Sequence, residues 1–175
     1  MKIVSTFVPK LYAFHFPDQE FDAVESKFDN WEDPLFLLEF FTEHEKDLKG
    51  TCTIEEAVVK TKQEVKKFRN RMLTYATADP HDLNQFFTNL YNNEYKPTLL
   101  QRQKAKQNWL RLYALKITQE EKEDLYVITG GMIKLTQNME DRNHGVVERD
   151  KINQCRDYLT TIGVYDIDSL FEIYF

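Results

Sequence analysis

The chain has 175 residues, a size at which one hydrophobic core is the default, and its 13 Phe, 9 Tyr and 2 Trp can fill a substantial one. That aromatic content excludes a disordered chain, and only 5 Gly and 5 Pro exclude a collagen-like or linker-dominated one. With 23 Lys+Arg against 29 Asp+Glu the formal net charge is −6, which argues against a nonspecific nucleic-acid coat.

Two cysteines, Cys52 and Cys155, cannot build a disulfide framework and suit a reducing compartment. Charge interrupts every apolar run within a few residues, so no membrane span is expected. The first ten residues hold no continuous apolar stretch and no small-residue cleavage site. A signal peptide is therefore not expected, and the location reads as cytoplasmic.

Residues 3–8 and 11–16 are β-rich runs separated by Pro9-Lys10, as for two strands or one bent strand. Asp18 is positioned to cap a helix in which Phe21, Val24, Phe28 and Trp31 form an apolar stripe. Asp33-Pro34 restarts the chain as N-cap and first helical residue. Leu35, Phe36, Leu37, Leu38, Phe40 and Phe41 then leave almost no polar side, which predicts a central, buried helix.

Thr53 with Glu56 has the spacing of a capping box. From Ile54 through Val58, Thr61, Val65, Phe68 and Met72 to Tyr75 the apolar spacing is that of a heptad seam. Such a seam packs within the chain or against a second copy, so a homodimer is one expectation. Asp79-Pro80 repeats the N-cap and proline signature before Leu83, Phe86, Phe87 and Leu90.

The second half changes character. Residues 1–95 carry 11 basic and 17 acidic side chains, whereas residues 96–175 carry 12 of each. Within it, 96–117 holds Lys96, Arg102, Lys104, Lys106, Arg111 and Lys116 and no acid, a strip suited to anions. Residues 109–117 read as an interior strand and 125–129 as a second. Gly130-Gly131 has the signature of a two-residue hairpin turn, which makes 132–136 a third strand and puts Lys134 on the face of Met132 and Thr136. A helix from about Val146 to Thr161 turns Cys155 inward, Gly163 is its stop, and Asp166 caps a last helix with an apolar end at 170–175.

No phosphate-binding glycine loop, histidine pair at i,i+4 or cysteine pair at metal spacing is present, so neither metal nor cofactor is expected. Arg111, Lys134, Arg142 and Arg156 remain, on or beside the expected sheet, with Tyr113, Tyr126 and Tyr158 near them. Arginine holds a phosphate through parallel bonds, lysine adds a point charge, and tyrosine stacks on a splayed base. Fixed cations can also stabilise the charge that builds on a phosphate during RNA cleavage.

The order of strand, helices, Leu110-Arg111-Leu112-Tyr113, Leu125-Tyr126-Val127-Ile128-Thr129 and Ile133-Lys134-Leu135-Thr136 resembles the RelE/ParE toxin superfamily, in its phage-derived, Gp49-like branch. Gln154-Cys155-Arg156-Asp157-Tyr158-Leu159 is similar to that family's final helix, and the similarity covers about residues 105–160. The resemblance implies a small sheet flanked by helices and, in active members, metal-independent mRNA cleavage, free or on the ribosome, with an antitoxin as partner. It also implies catalytic roles for Arg111, Lys134, Arg156 and Tyr158. Lys104, Lys106, Tyr113 and Arg142 are the candidate nucleic-acid contacts.

Family toxins are usually shorter and basic, and helices around 53–92 have no counterpart in the simple fold. The expectation is thus one α+β domain over residues 1–175. A sheet of about four antiparallel strands would carry a helical insertion or cap, with a strand and mostly helices in 1–95 and a three-stranded meander with C-terminal helices in 96–175. The alternative function is a noncatalytic interaction module that uses the 54–75 seam or the C-terminal helix.

Overall fold

A computed structural model describes residues 1–91 and 100–175 of the chain, so Lys96 and the Asn92-Asn93 boundary lie outside the described residues. Strands β1 (Lys2–Ser5) and β2 (Leu11–His15) pair antiparallel, and Lys10 takes a positive φ of 62° between them. Helix α1 (Ala23–Glu32) is capped by Asp22 rather than Asp18. The Asp22 carboxylate accepts from the backbone N–H of Val24 at 2.8 Å and of Glu25 at 3.0 Å, which leaves Phe21 outside the helix.

Helix α2 (Pro34–Glu43) opens on Asp33 and Pro34 as expected, but it is not central. Only Leu37 and Phe41 are buried and Leu35 is 69% exposed, because neighbours cover a single stripe of an otherwise apolar helix. Helix α3 (Ile54–Thr77) has both bonds of the Thr53 and Glu56 capping box. Its seam faces inward: Thr61, Val65, Phe68 and Met72 are buried, and Phe68 lies between Trp31 and Phe86 at centroid distances of 6.3 and 5.5 Å. One-turn helix α4 (Leu83–Phe86) starts at Leu83, beyond the Asp79-Pro80 pair expected to begin it, and Asp82 makes no side-chain cap.

Strands β3 (Thr88–Asn89), β4 (Leu100–Gln107), β5 (Leu110–Ile117) and β6 (Leu125–Ile133) complete the sheet. Its order is β1-β2-β6-β5-β4-β3, with β2 and β6 parallel and all other neighbours antiparallel. The described residues thus form an α+β fold with six strands in one mixed sheet, where about four antiparallel strands were expected. No helix among them is long and apolar enough to cross a membrane. Helix α5 (Asn143–Thr161) and helix α6 (Ile167–Tyr174) follow, the latter capped by Asp166 as expected.

The Gly130-Gly131 hairpin does not exist. Strand β6 runs straight through both glycines and pairs with β5 along its length, with one irregularity at Tyr113 and Ala114. The glycines answer close approach rather than a turn. A Cβ at Gly131 would lie 2.5 Å from the carbonyl oxygen of Arg111 and 3.0 Å from the Trp31 ring, and one at Gly130 would lie 2.4 Å from Oε2 of Glu148. Lys134 consequently sits just past the end of β6 rather than on a third strand.

The true hairpin joins β4 to β5 at Asn108, whose φ is 52°, and Trp109. Side chains of α3 hold this hairpin. The Trp109 indole donates to Oγ1 of Thr61 at 3.0 Å, Gln107 donates to Glu64 at 2.5 Å, and Arg71 donates to the Gln107 side chain at 2.8 Å and to the Lys106 carbonyl at 2.7 Å.

Replacing Phe68 with Ala deletes a ring in full contact with two helices and the aromatic core. It should cost about 3–5 kcal/mol, measured by urea denaturation, without changing the elution volume of the folded chain. An unchanged midpoint would mean that the seam is not used internally.

Candidate basic site over strands β4 and β5

Alternation along a strand decides which cations meet. Lys104 pairs with Tyr113 and Lys106 with Arg111 across β4 and β5, so all four side chains share one face. Arg102, two residues before Lys104, donates to Asn153 of α5 at 2.9 Å, so this is also the α5 side of the sheet. Beyond the helix, Lys104, Lys106, Arg111 and Tyr113 line a cavity of about 290 Å³ among the described residues. Lys134, Leu90 and Tyr91, together with residues 137–140, complete its wall.

Arg111 is held by neutral carbonyls. Its Nη1 donates to the Asn108 carbonyl at 2.6 Å and to the Leu110 carbonyl at 2.9 Å, while Nε and Nη2 have no partner among the described residues. Lys134 donates to the carbonyls of Thr136, at 2.9 Å, and Gln137, and Lys104 to that of Leu90 at 3.3 Å. None of these three cations forms an ion pair with a carboxylate of the described residues. The one carboxylate on the wall, Glu140, lies 3.5 Å from Arg149.

Burial and crowding act together on these charges. Burial first, then the charges of Arg111 and Lys106, hold the Lys104 ammonium below the usual lysine range. Burial followed by Arg111 and Lys104 does the same to Lys134, against weaker opposition from Asp141 and Glu140. Arg111 is shifted down by burial, and the buried Tyr113 phenol is shifted up by it, so that hydroxyl stays neutral. Such a site gains by taking an anion, which would relieve repulsion and satisfy free N–H groups at once.

Of the residues expected to act, the cavity gathers Lys104, Lys106, Arg111, Tyr113 and Lys134. Arg142 is elsewhere, in a two-point pair with Asp47 at 2.8 and 2.5 Å that holds the Asp47 carboxyl below its usual range. Tyr158 donates to the Met1 carbonyl at 3.0 Å and accepts from Tyr174 at 3.2 Å, and Arg156 stands 3.9 Å from Asp157. Neither Arg156 nor Tyr158 lines the cavity. Cys155 is a core thiol, as expected, and burial pushes its pKa up to about 12.

A second cavity of about 410 Å³ escaped sequence reasoning, because its walls come from four separated segments. Trp31, Phe36, Phe40, His44, His144 and Glu148 line it. Oε1 of Glu148 takes a 2.5 Å bond from Lys27, and Oε2 is buried without a hydrogen-bond partner among the described residues. The His44 and His144 rings are 4.8 Å apart, and Nε2 of His144 is 3.1 Å from the Ile133 carbonyl. Among the described residues no group of three or more His, Cys, Asp or Glu could hold a metal ion.

Comparison of the chain with protein-family models, with curated proteins and with solved structures finds no match.

The His144 imidazole is held below its ordinary value by burial first and by His44, against the Ile133 bond and the charges of Glu43 and Asp47. The unfolded chain therefore binds more protons near pH 6.5 than the folded one. Stability from His144 is full above about pH 6.5 and falls as pH drops toward the folded value. Melting at pH 7.5 and pH 5 should show this loss, and His144→Gln should flatten it; an equal slope in the variant would contradict the assignment.

Proposed function

We propose that the chain binds RNA through the basic cavity over β4 and β5, as a protein related to the RelE/ParE-like toxins with an added helical layer. The observation that carries this reading is the tethering of Arg111, Lys134 and Lys104 by backbone carbonyls instead of carboxylates. With no carboxylate of the described residues paired to them, their charge stays available to an incoming anion. Tyr91 on the same wall suits stacking against a base, whereas Tyr113, 1% exposed, forms the floor beneath it.

Arg111 is the group that grips a phosphate through parallel bonds, and Lys134 adds a point charge beside it. Arg156 and Tyr158 have no part in this contact, being outside the cavity. An antitoxin, the ribosome or a second copy of the chain would be the partners of such a protein.

The interaction-module reading keeps one observation in its favour. Phe171 and Phe175 of the C-terminal helix cluster with Tyr12, and Phe175 is 61% exposed. The seam of α3 no longer supports it, since its large side chains are used within the chain.

Binding of labelled single-stranded RNA, followed by anisotropy across a salt series, tests the proposal. Arg111→Ala should weaken binding about tenfold or more and lower the slope of log K against log salt by roughly 0.7, the share of one phosphate contact on a single strand. Equal affinity and slope for Arg111→Ala and the wild type would reject the cavity as the RNA site.

A further inference from the structure

We propose that the cavity receives the terminal phosphomonoester of an RNA strand rather than an internal phosphodiester, a reading that rests on the RNA assignment of the same site. The argument is one of charge and room. An internal phosphodiester brings one negative charge, whereas a phosphomonoester brings about −1.5 to −2 at pH 7, with its second pKa near 6. Facing the cavity are Lys104 and Lys106 from β4, Arg111 and Tyr113 from β5, Lys134 beyond β6, and Tyr91 and Glu140 from the adjoining segments. None of those four cations has a carboxylate partner among the described residues, so a single negative charge would leave most of the repulsion in place.

The free donors match three oxygens rather than two. Arg111 offers the Nε and Nη2 edge, the geometry that grips two oxygens of a phosphate in parallel. Lys104 and Lys134 enter from other segments and keep N–H groups beyond those given to carbonyls. A terminal phosphate has a third free oxygen for them, where a diester carries its second ester link.

At about 290 Å³ the cavity is at the lower limit of ligand pockets, which run from roughly 300 to 1,000 Å³. That suits one end group with its sugar better than a strand that must enter and leave. Residues 137–140 add a further segment to its lining.

The experiment compares one single-stranded RNA sequence with a 5′-phosphate, a 3′-phosphate or hydroxyls at both ends, with an internal label read by anisotropy. One phosphorylated form should bind at least tenfold more tightly than the hydroxyl form. That advantage should shrink between pH 7.5 and pH 5.5 as the monoester takes up a proton, whereas the hydroxyl form should not follow this change. Lys134→Gln and Lys104→Gln, each confirmed as folded by melting, should weaken the phosphorylated form by a larger factor than the hydroxyl form, so that the advantage shrinks; an equal loss for both forms would overturn end recognition.

Equal affinity of all three strands, all tight, would overturn end recognition and leave RNA binding intact. If no strand bound but a nucleoside monophosphate did, the monoester chemistry would stand and the RNA assignment would fall. Binding of neither would overturn both.

Discussion

The sheet depends on two consecutive positions without side chains in the middle of β6. At Gly131 the Trp31 ring of α1 comes against the backbone from one side, and at Gly130 Glu148 and Lys151 of α5 come against it from the other. Any Cβ there would fall inside the contact distance of a carbonyl, a ring or a carboxylate. This close approach lets α1 and α5 clamp β6, the strand that joins the parallel and antiparallel parts of the sheet. Among the described residues, no helix covers the outer part of the same face, over β4 and β5, beyond α5. The cavity occupies that ground.

Charge placement fits this geometry. Several cations elsewhere are closely paired, Lys27 with Glu148 at 2.5 Å, Lys116 with Asp124 at 2.9 Å and Arg69 with Glu32 at 2.9 Å. Lys104, Lys106, Arg111 and Lys134, none of them in an ion pair with a carboxylate of the described residues, converge instead on one concavity. Keeping them there opposes folding through mutual repulsion and loss of water. Carbonyl tethers offset part of that loss without cancelling the charge, so attraction for an incoming anion is preserved. The hairpin that carries Arg111 is meanwhile held by Trp109, Gln107 and Arg71 against α3, which fixes the guanidinium in place.

Much of this was legible in the amino-acid order, and the exceptions have physical causes. The capping box at Thr53, the seam of α3 and the cap at Asp166 were readable because each is a local pattern completed within a few residues. The hairpin at Gly130-Gly131 was misread because paired glycines serve tight turns and close packing alike, and only the partner across the sheet tells which. Strand β4 went unseen since Leu100 and Ala105 are its only apolar side chains, although Arg102, Lys104 and Lys106 alternate at the period of one strand face. Helix α2 misled in the opposite direction, its Leu and Phe content exceeding the area its neighbours cover. The acid-free strip contains the β4 and β5 residues that line the basic cavity, whereas Arg142, Arg156 and Tyr158, grouped with them by proximity in sequence or by the family resemblance, lie outside it. The second cavity could not be found that way, because His44 and His144 are brought together only by the packing of α2 against α5.

The central claim is that Lys104 and Lys134 carry uncompensated charge beside Arg111. Lysine-selective carbon NMR, titrated against pH with and without phosphate, tests it most directly. Both side chains should lose their protons below the range of an ordinary lysine, and added phosphate should move both upward. Ordinary titration of the two residues, indifferent to phosphate, would contradict the account.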